Sequence, residues 1–161
     1  MAARRPSGTL RRLLRAPAYL YRWRSGWLFG HRFLLLVHLG RRSGRRHCTV
    51  LEIVEYRRER REAVVISAFG SSADWLRNIE AAPHPEVMIG SQRFIAVHRR
   101  LAADEAERVL AGYERRNRLA APIIRAVLSR LLGWRYDGSA EHRRRIAAQL
   151  PFIAFRPQPR S

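Results

Sequence analysis

The sequence predicts an α+β fold in which a small barrel of mostly antiparallel strands is wrapped by helices. Three observations carry that expectation. Short apolar runs, partly β-branched and bounded by turn residues, recur as hairpin pairs through the first hundred residues. The apolar spacing then changes from two to three and four. A last apolar run, 152–155, follows Pro151 and supplies a closing strand.

Taken in order, residues 1–30 form a basic segment. Leu10, Leu13, Leu14, Pro17 and Tyr21 recur at helical spacing among seven arginines between Arg4 and Arg24. Arginines interrupt this segment too often for a signal peptide. It can lie on an acidic membrane with Trp23, Trp27 and Phe29 at the interface, or pack its leucines on the domain. Strands are expected at 33–39, 48–56 and 63–69, with the charged run 57–62 as a solvated hairpin tip. Ser71 and Asp74 read as a capping box for a short helix carrying Trp75, Leu76, Ile79 and Ala82, stopped by Pro83 and Pro85. Residues 86–89 and 93–101 form a further hairpin across Gly90 and Ser91; in its second arm Phe94, Ala96 and His98 alternate with Ile95, Val97 and Arg99.

Three helices follow. Asp104 and Glu107 read as a capping box for the first, with Ala106, Val109, Leu110 and Tyr113 on one face. Pro122 opens the second, whose inward stripe is Ile123, Ile124, Val127, Leu128 and Leu131, closed by Gly133. Ser139 caps the third, which turns Ile146, Ala147 and Leu150 inward. No internal repeat and no linker divides the chain, so the expected organisation is a basic segment 1–30 and one domain, 31–157, with a helical insertion near 104–149.

At 161 residues the chain buries about 70% of its unfolded surface without a covalent staple. A hydrophobic share of 47% and a mean hydropathy of -0.34 fit a soluble, cytoplasmic globular protein, at most peripheral on the inner face of the cell membrane. The lone Cys48 excludes an internal disulfide and a multi-cysteine zinc site, and its apolar neighbours suggest a buried thiol in a reducing compartment. The formal charge of +19 calls for an anionic partner. Every basic residue other than histidine is an arginine, so clustering says more than the total. The arginines are spread over most elements and no nucleic-acid motif is present, which argues against nucleic acid as the partner.

The densest cluster lies between the first two strands: Gly40, Arg41, Arg42, Ser43, Gly44, then Arg45, Arg46 and His47. Two glycines permit positive φ and close approach, Ser43 adds a hydroxyl, and four guanidinium groups crowd one loop. That chemistry suits a phosphate, while an ordinary hairpin with solvated arginines fits the same residues. Elsewhere there is no Walker loop, no G-x-G-x-x-G, no H-E-x-x-H and no G-x-S-x-G elbow. His31, His38, His47, His84, His98 and His142 are scattered without metal-like pairing, so no metal is expected. If the protein is an enzyme, a cofactor supplies the reactive atom.

The order of five segments narrows the cofactor. Gly40-Arg41-Arg42-Ser43-Gly44 precedes Ser67-Ala68-Phe69-Gly70, then Asp74-Trp75-Leu76-Arg77-Asn78-Ile79, then Pro83-His84-Pro85-Glu86-Val87, and the chain closes on Pro151-Phe152-Ile153-Ala154-Phe155-Arg156-Pro157. Together these resemble the deazaflavin (F420)-dependent nitroreductase family. The resemblance implies a split β-barrel of the flavin-reductase type that binds coenzyme F420, with FMN as the alternative. The implied activity is hydride transfer from reduced F420 to a quinone, an enone or a nitroaromatic. Other split barrels bind without catalysing, and a basic membrane- or nucleic-acid-binding module is the alternative from another class. By position, Gly40, Arg41, Arg42, Ser43 and Gly44 would cradle the phospholactate, with Arg45 or Arg46 near the oligoglutamate tail. His47 stands where many relatives carry an arginine. Thr49, Val50 and Leu51 would face the ring, Phe69 would wall it, and Gly70 would let the backbone pass close. Trp75 and Asn78, three apart on one helical face, would either touch the ligand or serve as a buried tryptophan and a backbone-bonding amide. Tyr113 and Tyr136 are the tyrosines near the insertion able to donate to a substrate oxygen. A homodimer would be compatible with the fold.

Overall fold

The computed structural model describes residues 31–159, so the basic segment 1–30 lies outside the described residues. Six strands are present among the described residues: β1 (Phe33–Leu39), β2 (Arg46–Arg57), β3 (Glu62–Ile66), β4 (Glu86–Ile89), β5 (Gln92–Arg100) and β6 (Phe152–Pro157). They close into a barrel in the order β1-β2-β3-β6-β5-β4, and every neighbouring pair is antiparallel. Closure removes the exposed edges that short hairpins would otherwise present. Four helices among the described residues accompany the strands: α1 (Asp74–Ala81), α2 (Ala103–Arg116), α3 (Ala121–Leu132) and α4 (Ala140–Gln149).

Strand alternation divides the apolar residues between two cores. Leu34, Leu36, Ile53, Val65, Val87, Ala96, Ile153 and Phe155 fill the barrel, and α1 adds Trp75, Leu76 and Ile79 to the same cluster. Val64, Phe152 and Ala154 point outward and are covered by Ala106, Val109 and Leu110 of α2, Leu128 of α3 and Ile146 of α4. A bulge in β2 connects the two layers. Val54 alternates from Ile53 into the outer core, and the β2–β3 register shift between Ile53 and Glu55 makes Tyr56 rather than Glu55 the next residue to pack on the barrel core. The Val54 carbonyl accepts from Arg116 Nη2 at 2.6 Å.

Several local expectations are corrected. The run 57–62 is a solvated tip only over 58–61, which are exposed; at its ends Glu62 is 3% exposed and accepts from Arg57 Nη1 at 2.7 Å and Arg99 Nη2 at 3.1 Å. Glu105 bridges the same two arginines at 2.7 and 2.8 Å, and the Arg99 hydrogen bond is the main influence pulling its carboxyl down to about 2. Neither capping box forms. Ala73 and Ala102 hold the N-cap positions of α1 and α2 without a side-chain bond, and Ser71 lies in a 3-10 turn. The predicted caps are engaged elsewhere, Asp74 with Arg41 and Asp104 with Arg108. Ser139 does cap α4, accepting from the His142 N–H. Cys48 is exposed, because it lies on the outer barrel face opposite Val37. Helix α3 buries only Ala121 and Leu128, leaving Ile123 and Val127 in solvent.

Candidate functional site

Strands β1 and β2 pair from Phe33–Glu52 up to Leu39–Arg46, so the arginine-rich stretch is the turn of one hairpin. Gly40 N–H donates to the Arg45 carbonyl and Gly44 N–H to the Gly40 carbonyl, both at 2.8 Å. Two positions favour glycine. A Cβ on Gly40 would fall 2.6 Å from Ser43 Oγ and 2.8 Å from His47 Nε2, and Gly44 has φ +64°. The turn is thereby drawn tight, with Ser43 Oγ accepting from the Arg45 N–H at 3.3 Å.

A chain of polar side chains ties this turn to α1. Asn78, 4% exposed, accepts on Oδ1 from the Arg41 N–H at 3.1 Å and from Arg41 Nη1 at 3.0 Å. Arg41 also donates through both terminal nitrogens to Asp74 Oδ1 at 3.1 Å. With its oxygen engaged by two donors, Asn78 presents Nδ2 to His38 Nδ1 at 3.1 Å. Nδ1 must then accept, so the His38 proton sits on Nε2, 3.2 Å from Thr49 Oγ1. His47 stacks on His38 with ring centroids 5.8 Å apart. Burial first, and His47 second, push the His38 imidazole down to about 4, so it is neutral near pH 7.

This network divides the loop arginines into two groups. Arg41 is committed to Asn78 and Asp74, and Arg46 donates to Glu86 Oε2 at 3.0 Å, while Glu86 also pairs with Arg93. The exposed side chains of Arg42 and Arg45 have no carboxylate partner among the described residues. The N–H groups of Arg42 and Ser43 likewise have no acceptor among them. Two free guanidinium groups beside adjacent unpaired N–H groups fit a phosphate or a carboxylate tail. A cleft of about 330 Å³ opens beside the turn, lined by Val37, His38, Arg46, His84, Glu86 and Ile95.

The remaining predicted residues separate by strand parity. Thr49 and Leu51 pair with Leu36 and Leu34 and share their inward face, whereas Val50 pairs with Leu35 on the outer face. Of the three, Val50 alone turns outward. Phe69 packs against the barrel core, and Gly70, at φ +66°, starts the 3-10 turn before α1. Trp75 is 7% exposed within the barrel core. The Tyr113 hydroxyl donates to Glu52 Oε1 at 2.8 Å, and Tyr136, buried in the outer core, donates to Glu114 Oε1 at 2.9 Å. Burial and these carboxylates raise both phenols. Sequence reasoning missed His38, His84 and Glu86. The signal for His38 was its place one residue before Leu39 in β1, on the same face as Leu36.

A family model described as F420H(2)-dependent quinone reductase matches residues 15–121. A structure described as an F420-H2 dependent reductase (FDR-A) is 18% identical, covering 78% of this chain and 95% of its own, with a TM-score of 0.50. The Agrobacterium tumefaciens protein Atu2129, of unknown function, is 16% identical over 90% of this chain and 56% of its own, with a TM-score of 0.53. A structure described as a domain-swapped dimer is 15% identical over 87% of this chain and 99% of its own, with a TM-score of 0.50. At these identities the structures share the fold. No curated protein matches the chain.

Proposed function

The chain belongs to the F420H(2)-dependent quinone reductase family, and we propose that it passes a hydride from reduced coenzyme F420 to a quinone at the β1–β2 turn and its cleft. The observation that carries the placement is the pair of uncommitted arginines, Arg42 and Arg45, on a turn that Asn78 holds in place. When bound, the deazaflavin supplies the hydride. Arg42, Arg45 and the free N–H groups of Arg42 and Ser43 would hold the phospholactate phosphate. Charge-assisted contacts of this kind contribute roughly 1.5–3 kcal/mol each where water is partly excluded. Arg46, at the cleft edge, would meet the acidic tail by exchanging its Glu86 partner. Val50 on the outer face would lie against the ring, and Phe69 beside Gly70 would limit access from the α1 side.

Neutral His38 would position rather than react. Its fixed tautomer keeps Asn78 aimed at Arg41 and keeps charge out of the barrel mouth. The chain supplies orientation, and the accepted hydride accounts for the chemistry. Enones and nitroaromatics share with quinones a conjugated system that takes a hydride and then a proton. Reduced F420 mixed anaerobically with menadione tests the reading through the return of the oxidised deazaflavin absorbance. Oxidation above the protein-free rate is expected; a rate equal to that of the protein-free mixture would refute it. Replacing menadione with a nitroaromatic ranks the acceptors.

Residues 1–28 fit a contact with an acidic membrane surface in a cytoplasmic protein, and vesicle sedimentation with and without them tests this. Light scattering tests the homodimer.

A further inference from the structure

On the side of the barrel covered by helices, the α2–α3 region carries two features that the proposed chemistry does not use. Between Glu114 and Asp137 the chain has six arginines and no carboxylate. Within that stretch Leu119, Ile123 and Val127 are 94%, 69% and 51% exposed, and Pro122 and Ala126 lie exposed between them. Helical spacing sets Pro122, Ile123, Ala126 and Val127 on one apolar face of α3, and Leu119 lies in the turn just before it. At the amino-terminal end of this face a cleft of about 490 Å³ is lined by Arg115, Arg118, Arg125 and Arg143, with Glu114 as its one carboxylate. Glu114 is already engaged by the Tyr136 hydroxyl at 2.9 Å, by Arg143 Nη1 at 3.1 Å and, as a longer ion pair, by Arg125 Nε at 3.7 Å. The buried Nε atoms of Arg125 and Arg143 have no hydrogen-bond acceptor among the described residues, and Arg115 and Arg118 have no ion-pair partner there.

We propose that this face docks on the surface of a bilayer containing anionic phospholipid, the arginine cleft taking a lipid phosphate and the Leu119–Ile123–Val127 ridge entering the acyl boundary. A cationic cleft joined to an apolar ridge matches the two parts of such a lipid in the order that a membrane presents them. Charge decides against the other occupants. A second copy pairing through this face would set arginines against arginines. Residues 1–30 contain seven arginines and no acid, so they are repelled from it as well. Nucleic acid would satisfy the arginines and leave the ridge in water. The inference is independent of which cofactor or acceptor the barrel mouth takes.

Two measurements on the full chain test it. The first is sedimentation with phosphatidylglycerol-containing vesicles, comparing the wild type with Ile123→Glu/Val127→Glu; the double variant should lose at least tenfold in partitioning. Both positions are exposed, so the melting temperature checks that the variant is folded. The second places a polarity-sensitive fluorophore on Ala126→Cys in a Cys48→Ser background. Its emission should move to shorter wavelength with phosphatidylglycerol-containing vesicles and stay unchanged with phosphatidylcholine alone. Equal partitioning of wild type and double variant, or no wavelength shift on anionic vesicles, would overturn the proposal. So would a shift produced by raising the protein concentration without lipid, which would make a second copy the occupant.

Discussion

The carboxamide oxygen of Asn78 accepts from both the backbone N–H and the guanidinium of Arg41, at 3.1 and 3.0 Å. One side chain on α1 thus fixes both the path of the arginine-rich turn and the direction of one of its cations. Asn78→Ala would leave the part-buried Arg41 N–H and the buried His38 Nδ1 without that partner. The expected cost is about 1–3 kcal/mol of stability, together with weaker F420 binding. Denaturant unfolding and F420 titration of the same variant check both; loss of stability with full F420 affinity would separate Asn78 from the site.

His38 makes stability depend on pH. Its folded value of about 4 lies below the ordinary value near 6.5, so the unfolded chain takes up the proton first. Stability is therefore full above pH 6.5 and falls as the pH drops towards 4. Each pH unit between those two values removes roughly 1.4 kcal/mol, so the expected loss between pH 7.5 and 5 is about 2 kcal/mol. Unfolding curves at the two pH values should show this drop, and His38→Gln should flatten it. An equal slope in the variant would assign the dependence to other groups.

Gly40 has room for a side chain only if Ser43 and His47 give way. The Cβ of Gly40→Ala would sit 2.6 Å from Ser43 Oγ and 2.8 Å from His47 Nε2, forcing the turn or the imidazole to move. A several-fold loss of F420 affinity is expected with a stability change of about 1 kcal/mol. Gly44→Ala meets open space and is strained only by φ +64°, so it should cost about as much stability with less effect on affinity. Paired titrations and melts of the two variants would show whether the contacts at Gly40 matter to the site.

The cluster of Arg57, Arg99, Glu62 and Glu105 holds the β2–β3 turn to α2, far along the chain from the arginine-rich turn. Arg57→Ala would leave Glu62, 3% exposed, with Arg99 as its one cation among the described residues, and should cost about 3 kcal/mol. Thermal unfolding checks this. A change within 0.5 kcal/mol would mean that Arg99 alone satisfies Glu62.

The barrel was legible in the sequence because alternation and turn chemistry are local. The pairing of β1 with β2, the β4–β5 hairpin and the closing strand at Phe152 all follow from apolar runs flanked by glycine and proline. What could not be read was partnership across distance. Asp74 resembles a helix cap by spacing, yet it binds Arg41, 33 residues earlier. Glu62 looks like a turn residue, yet it is buried between Arg57 and Arg99. A helical period in α3 says that one face is apolar and not that something covers it, so periodicity alone turns Ile123 and Val127 inward. Within the candidate site the arginine-rich turn and Asn78 are visible as motifs. The division of its cations into committed Arg41 and Arg46 and free Arg42 and Arg45 depends on Asp74 and Glu86, which periodicity cannot place.

That division is the central claim, and equilibrium titration of F420 followed by its fluorescence tests it most directly. Wild type should bind saturably, and Arg42→Ala/Arg45→Ala should bind at least tenfold more weakly with an unchanged melting temperature, since neither side chain has an internal partner among the described residues. Equal affinity in wild type and double variant, or FMN binding as tight as F420, would contradict it.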